Sequence, residues 1–291
     1  MPVTSSPGEK TFLMGAGAQK GGTTWLHRYL KSSPQYVSGY MKEYHVFDAI
    51  DLPSEDLTRN RITRKAEAAL AAVRQGGKVN AMALHRMSMY GNPDLYYDYF
   101  AGILATRDGR VTADLTPDYG MLPAERFRAV REGFGERGVR AVSMLLMRDP
   151  VERVWSHIRM QAQRFPTMFK QPLPDVLLAR HADDNYAMRT RYDRTIAALD
   201  EGFAPGQVYY GFYEDLFTEE RMREICAFLH IDFIEPDFDV RRNASERPAE
   251  TLPDDTVRAV ARHFSEVYDA VAARFPDKEL EALWPSARFV R

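Results

Sequence analysis

Thr11-Phe12-Leu13-Met14-Gly15-Ala16-Gly17-Ala18-Gln19-Lys20-Gly21-Gly22-Thr23-Thr24-Trp25-Leu26 is the stretch that decides the fold. Its first half is an apolar run of strand length, and its second half is a glycine turn that opens a helix on two threonines. A buried strand feeding such a turn aims a helix N-terminus, two hydroxyls, the Lys20 ammonium and several free backbone N–H groups at one spot. That spot suits a phosphate-like anion. Gly21 and Gly22 let the backbone come close, and the partial positive charge of the helix end adds to Lys20. The plainer alternative is a glycine turn without a ligand.

The spacing nearly fits the P-loop of nucleotide hydrolases and kinases. Four residues lead from Gly17 to Gly22, as that pattern asks, but Thr23 stands where its lysine belongs and Lys20 lies two places before Gly22. On the turn itself, the lysine faces a 5′-terminal group. The order strand, G-x-x-K-x-G-T-T-x-L, helix resembles the 5′-phosphosulfate loop of the sulfotransferases, which use 3′-phosphoadenosine 5′-phosphosulfate (PAPS). The resemblance implies a P-loop-like α/β architecture, with Lys20, Gly21, Gly22, Thr23 and Thr24 around the 5′ end of the donor. It also implies Trp25 stacking on adenine, although Trp25 could equally pack the first helix onto the sheet.

Composition narrows the class. At 291 residues and 45% hydrophobic content the chain can bury a sizeable core, and no linker divides it. We therefore expect one α/β domain over 10–291 behind a flexible tail over 1–9. A net charge of −2 gives no broad basic field, so no nucleic-acid partner is expected. Apolar runs are as short as Met144-Leu145-Leu146-Met147, so no transmembrane segment is expected. The lone Cys226 excludes an intrachain disulfide and a cysteine-rich zinc site, and packing is its expected role. A cytoplasmic protein fits these features.

Strands and helices alternate along the chain. Extended pieces are expected at Gln35–Gly39, Val111–Asp114, Val139–Met147 and Gln207–Phe212. Helices are expected over 54–74, 123–134, 218–229 and, as one long element, 254–275. The tyrosine-rich stretch 90–104 lies between turn residues. The alternation predicts a mostly parallel central sheet with helices on both faces, where ligands bind at the carboxyl ends of the strands.

A second constellation is Met147-Arg148-Asp149-Pro150-Val151-Glu152-Arg153-Val154-Trp155-Ser156-His157. Asp149 as N-cap, Pro150 at the first helical position and Glu152 three residues after the cap form a complete helix-start signature. Arg148 ends a strand and Ser156 lies two turns into the helix, so the pair could grip a phosphate from two sides. This resembles the R-x-P-x-x-R-x-x-S segment at the 3′-phosphate site of the sulfotransferases. Two separate anion sites suit a nucleotide with phosphate at both ends of its ribose; ATP has one.

Lys42-Glu43-Tyr44-His45-Val46-Phe47-Asp48 concentrates ionisable groups and reads either as a proton-handling cluster or as a solvated charged turn. It resembles the K-E-x-H-x-F-D pattern of the carbohydrate, heparan sulfate type branch. By that resemblance Glu43 is the base, with His45 and Asp48 behind it; from the residues alone His45 is a rival base. Asp114-Leu115-Thr116-Pro117-Asp118-Tyr119 resembles the branch's E-K-[ST]-P-x-Y segment, with Leu115 in the place of the lysine. Arg241-Arg242-Asn243-Ala244-Ser245 is basic but lacks the glycines of the family's R-K-G-x-x-G loop. Gly211-Phe212-Tyr213-Glu214-Asp215-Leu216 resembles the family's strand and Y-E-D-L turn.

The expected activity is transfer of a sulfuryl group from PAPS to a hydroxyl or amine, releasing 3′-phosphoadenosine 5′-phosphate (PAP), with no metal. For Glu43 to act as base, its pKa should be raised by burial or by neighbouring carboxylates. The alternatives are an ATP-dependent small-molecule kinase and a catalytically inactive nucleotide-binding relative. The acceptor is open. The aromatic residues of 90–104, with Arg159, Arg164 and Phe165, line either an acceptor cleft or the core.

Overall fold

A computed structural model describes residues 9–238 and 252–290. The Arg241–Ser245 segment and the tail up to Gly8 lie outside the described residues. Four strands form the sheet: β1 (Thr11–Gly15), β2 (Val111–Asp114), β3 (Arg140–Met147) and β4 (Val208–Phe212). All neighbours run parallel in the order β2-β1-β3-β4. Such a sheet needs crossovers, and the intervening helices supply them on both of its faces.

Side-chain alternation along the strands separates the two cores. Phe12, Met14, Leu145 and Met147 face one side, where they meet buried residues of the Asp94–Thr106, Ala124–Gly135 and Pro150–Arg164 helices. Leu13, Val142, Met144 and Leu146 face the other, against helix α1 (Thr23–Ser32) and the Glu219–Leu229 helix. The period of two in a strand makes this division unavoidable once both faces are covered. The expected α/β class with a parallel sheet and helices on both faces is what the chain adopts.

Three local expectations change. The Gln35–Gly39 piece makes only an isolated bridge, Tyr36 to Val111, beside β2. The tyrosine-rich stretch is a helix, Asp94–Thr106, burying Tyr96, Tyr97, Phe100 and Leu104. The long C-terminal helix divides into Asp254–His263 and Ser265–Arg274 at Phe264, whose backbone (φ −103°, ψ 20°) leaves helical geometry while its ring is buried in the core. No helix among the described residues is long and apolar enough to cross a membrane.

Candidate active site at the carboxyl edge of the sheet

The chain leaves β1 towards β2 on one side and leaves β3 towards β4 on the other, so the β1/β3 boundary is the topological switch point of the sheet. A crevice at the carboxyl ends of the strands is expected there. The Lys20 turn leaves β1 at this edge. Ala18 N–H donates to the Leu146 carbonyl at 2.9 Å, and the Leu146 N–H donates to that of Gly17 at 3.0 Å, which welds the turn to β3. A Cβ at Gly21 would stand 2.2 Å from the Leu146 oxygen, so only glycine permits this approach. Gly22, at φ 94°, is the N-cap of α1.

No side chain caps α1, and its first turn holds no acidic residue. Its first N–H groups therefore face the crevice with their partial positive charge uncompensated. Burial and the neighbouring Arg148 and Arg159 guanidiniums hold the Lys20 ammonium below its usual range. Burial together with Arg153, Arg189 and Lys20 pushes His157 down to about 2. Cations converge here as they do around an anion.

Arg148 follows β3. Its Nη1 donates to the Lys20 carbonyl at 3.4 Å, its guanidinium carbon lies 4.4 Å from the Tyr213 ring centre, and its Nε is buried without a partner. Asp149 caps the Pro150–Arg164 helix, accepting from Val151 N–H at 2.9 Å. Glu152 departs from the expected capping box and binds Arg148 Nη2 at 3.2 Å instead. Ser156 is buried one helical turn beyond Glu152 on the same face. The Y-E-D-L turn braces this corner from below: Glu214 accepts from the Asp149 N–H at 3.0 Å and from Trp284 Nε1 at 3.1 Å.

The Lys42–Asp48 segment crosses the same edge above β1 and β2. Asp114, fully buried at the end of β2, accepts from Tyr44 N–H, Thr116 Oγ1, Tyr96 Oη and Tyr119 Oη. The next two amides are held likewise, His45 N–H by Thr116 Oγ1 at 3.2 Å and Val46 N–H by Tyr119 Oη at 3.1 Å. Three successive amides thus hang on one short segment. They secure His45 at φ 53°, a conformation costly for a residue with a Cβ.

His45 Nδ1 lies 2.7 Å from Asp48 Oδ2 and 3.5 Å from Asp118 Oδ2, and its Nε2 lies 3.7 Å from Glu43 Oε2. Burial alone would lower its pKa, yet its bonds to Asp48 and Glu43 and the charge of Asp118 raise it to about 10, so His45 is an imidazolium at neutral pH. Arg189 holds Asp118 at 2.6 Å and Glu55 at 2.8 Å. For Glu43 the expected upward shift is reversed. Burial favours the neutral acid, but the bonds to His45 and Lys42 and the Lys42 charge prevail and hold it at about 2. His45, Asp48 and Asp118 also bring one ligand atom each within 4.8 Å of one another.

No protein-family model matches the sequence, and no curated protein matches it. Solved structures do. A sulfotransferase from Alicyclobacillus acidocaldarius is similar over 91% of this chain and 95% of its own, with a TM-score of 0.60 and 19% identity. Sulfotransferase STF9 from Mycobacterium avium is similar over 91% of this chain and 77% of its own, with a TM-score of 0.50 and 14% identity. The chain has the sulfotransferase fold.

On this fold Lys20, Gly21, Gly22, Thr23 and Thr24 come together at one helix start, with Arg148 against them and Glu43, His45 and Asp48 along the adjoining edge. Trp25 is 8% exposed and stacks with Tyr29 and Phe238, ring centres 5.8 and 5.7 Å away. Tyr44, Tyr96, Tyr97 and Phe100 belong to the core, and Tyr40 and Tyr99 pack against it around Tyr44. Sequence reasoning passed over Lys42, Asp118 and Arg189. Lys42 Nζ lies 3.2 Å from both Thr23 Oγ1 and Thr24 Oγ1 and 2.6 Å from Glu43 Oε1. Its position in the K-E-x-H pattern was the available signal; Arg189 had none.

Proposed function

We propose that this chain is a sulfotransferase that moves a sulfuryl group from PAPS to a hydroxyl or amine of a carbohydrate, lipid or small-molecule acceptor, releasing PAP. The supporting observation is the pairing of two anion-binding corners at adjacent strand ends, joined by the Arg148 bond to the Lys20 carbonyl. A nucleotide phosphorylated at both ends of its ribose uses both corners; ATP uses one. Lys20, the Gly21 and Gly22 amides and the Thr23 and Thr24 hydroxyls would stabilise the charge that builds on the departing 5′-phosphate. Arg148 and Ser156 would hold the 3′-phosphate once Glu152 yields its place.

Glu43 accepts the acceptor's proton in this reading. The His45 imidazolium orients it and Asp48 and Asp118 balance the charge, so His45 has no free lone pair with which to compete as base. The likeness of residues 42–48 to the carbohydrate branch supports a hydroxyl acceptor.

The kinase alternative gains one feature, the His45, Asp48 and Asp118 group with its metal-compatible spacing. Thermal unfolding with PAP, ADP and ATP–Mg²⁺ separates the two readings. At a hundredfold excess over Kd a ligand stabilises by about 2.7 kcal/mol. Stabilisation by PAP well beyond that by ADP supports the proposal, and stabilisation by ATP–Mg²⁺ alone hands the site to the kinase reading. PAP binding without turnover on any acceptor would point to an inactive relative.

A further inference from the structure

We infer that Lys42 grips the sulfuryl group in transit and supplies the cation that Leu115 leaves out. The inference rests on the sulfotransferase reading above and adds a residue to its reaction. Leu115 is 1% exposed and packs into the core on the α1 side of the sheet, while its N–H donates to the Lys42 carbonyl at 2.9 Å. The strand end that carries leucine therefore lies directly beneath a lysine from another segment. The Lys42 ammonium reaches both hydroxyls at the start of α1 and also Glu43, so it spans the donor corner and the proton acceptor.

Glu43 offsets its charge at 2.6 Å, while the helix end works against it. An ammonium on the positive end of a helix is disfavoured, and α1 offers no acidic side chain in its first turn to offset it. An anion seated between the Thr23 and Thr24 hydroxyls and Lys42 would satisfy all three. The sulfuryl oxygens of PAPS occupy that place when its 5′-phosphate rests on the Lys20 turn.

The exchange balances without a further reactant. The acceptor oxygen or nitrogen forms its bond to sulfur as the bond from sulfur to the bridging oxygen breaks. That electron pair leaves with the 5′-phosphate of PAP, and the acceptor's proton passes to Glu43. Lys42 keeps its protons and changes partner, from the Glu43 carboxylate to the sulfuryl oxygens. Glu43 thereby loses a cationic neighbour and gains basicity at the step that needs it.

Calorimetric binding of PAP and PAPS to the full chain tests the role without knowledge of the acceptor, because only PAPS carries the group Lys42 would touch. Lys42→Met should weaken PAPS roughly 10- to 100-fold, the loss of a hydrogen bond to a charged group, and leave PAP nearly unchanged. Lys42→Arg should recover most of the difference. Equal weakening of PAP and PAPS, or no change in either, overturns the assignment. Should Lys42→Met not fold, Lys42→Gln carries the same comparison. Failure of the wild-type chain to bind PAP at all is a separate result, and it would remove the sulfotransferase reading together with the Lys42 role.

Discussion

Arg148 Nη1 and the Lys20 carbonyl are 3.4 Å apart, so the guanidinium that ends β3 closes onto the turn that ends β1. Neither residue could be placed beside the other from its own segment. The contact joins the Lys20 turn to the start of the Pro150–Arg164 helix, with the Tyr213 ring packed against the guanidinium.

Arg148→Ala should weaken PAP by about 2 to 4 kcal/mol, the usual result of deleting one partner of a charge-assisted contact. Binding of ADP, which lacks the 3′-phosphate, should change much less. Titration of both nucleotides against both proteins checks it, and equal losses would place the 3′-phosphate elsewhere. Glu152→Gln should act in the opposite direction and tighten PAP, since it removes the carboxylate that pairs with Arg148.

Glu43→Gln should lower kcat by on the order of 10²–10⁴ with PAP affinity nearly intact. The pH profile distinguishes the base. Glu43, held at about 2, is ionised throughout the neutral range, and His45, raised to about 10, stays protonated there. Turnover should therefore be flat through neutrality and fall only as His45 loses its proton near 10. A rate that climbs steadily from pH 6 to pH 10 or so would instead make neutral His45 the base.

Asp114→Ala should destabilise the fold by about 3 kcal/mol or more, because it strips two buried tyrosine hydroxyls, one threonine hydroxyl and one amide of their acceptor. Loss of that support also frees the Tyr44 N–H, so kcat should drop more than PAP affinity. Chemical denaturation and calorimetry read the two effects separately. A variant with wild-type stability would mean the cradle holds without its carboxylate.

Glu214 introduces a pH dependence of stability. Burial raises its pKa to about 7 despite the hydrogen bond from Asp149 N–H. The folded state therefore binds the proton more tightly than the unfolded chain. The stabilisation is complete below the unfolded carboxyl value and fades as pH rises from about 4.5 to about 7. Glu214→Gln should flatten that part of the melting-temperature profile. A profile as steep as wild type would assign the dependence to other groups.

The sequence by itself determined the sheet and the glycine turn that leads from β1 into α1. An apolar strand, a glycine turn and a helix start are local features; Gly21 and Gly22 state their backbone needs directly, and Asp149-Pro150 announces a helix. Continuous apolar runs of strand length, alternating with helical stretches along the chain, were enough to predict a parallel sheet with helices on both faces. The Asp94–Thr106 helix was harder to read because apolar and aromatic residues occur nearly all round it, which erases the amphipathic signal. Only the tertiary structure decided the charge states. Glu43, expected to have a raised pKa, is held low because Lys42 and His45 converge on it, and His45 is held protonated by Asp48 and Glu43 of its own segment and by the charge of Asp118, 73 residues away along the chain. Those energies depend on distances of a few ångströms that the folded backbone sets, among near neighbours such as Lys42 and Glu43 as well as across to Asp118, and local pattern carries no such information.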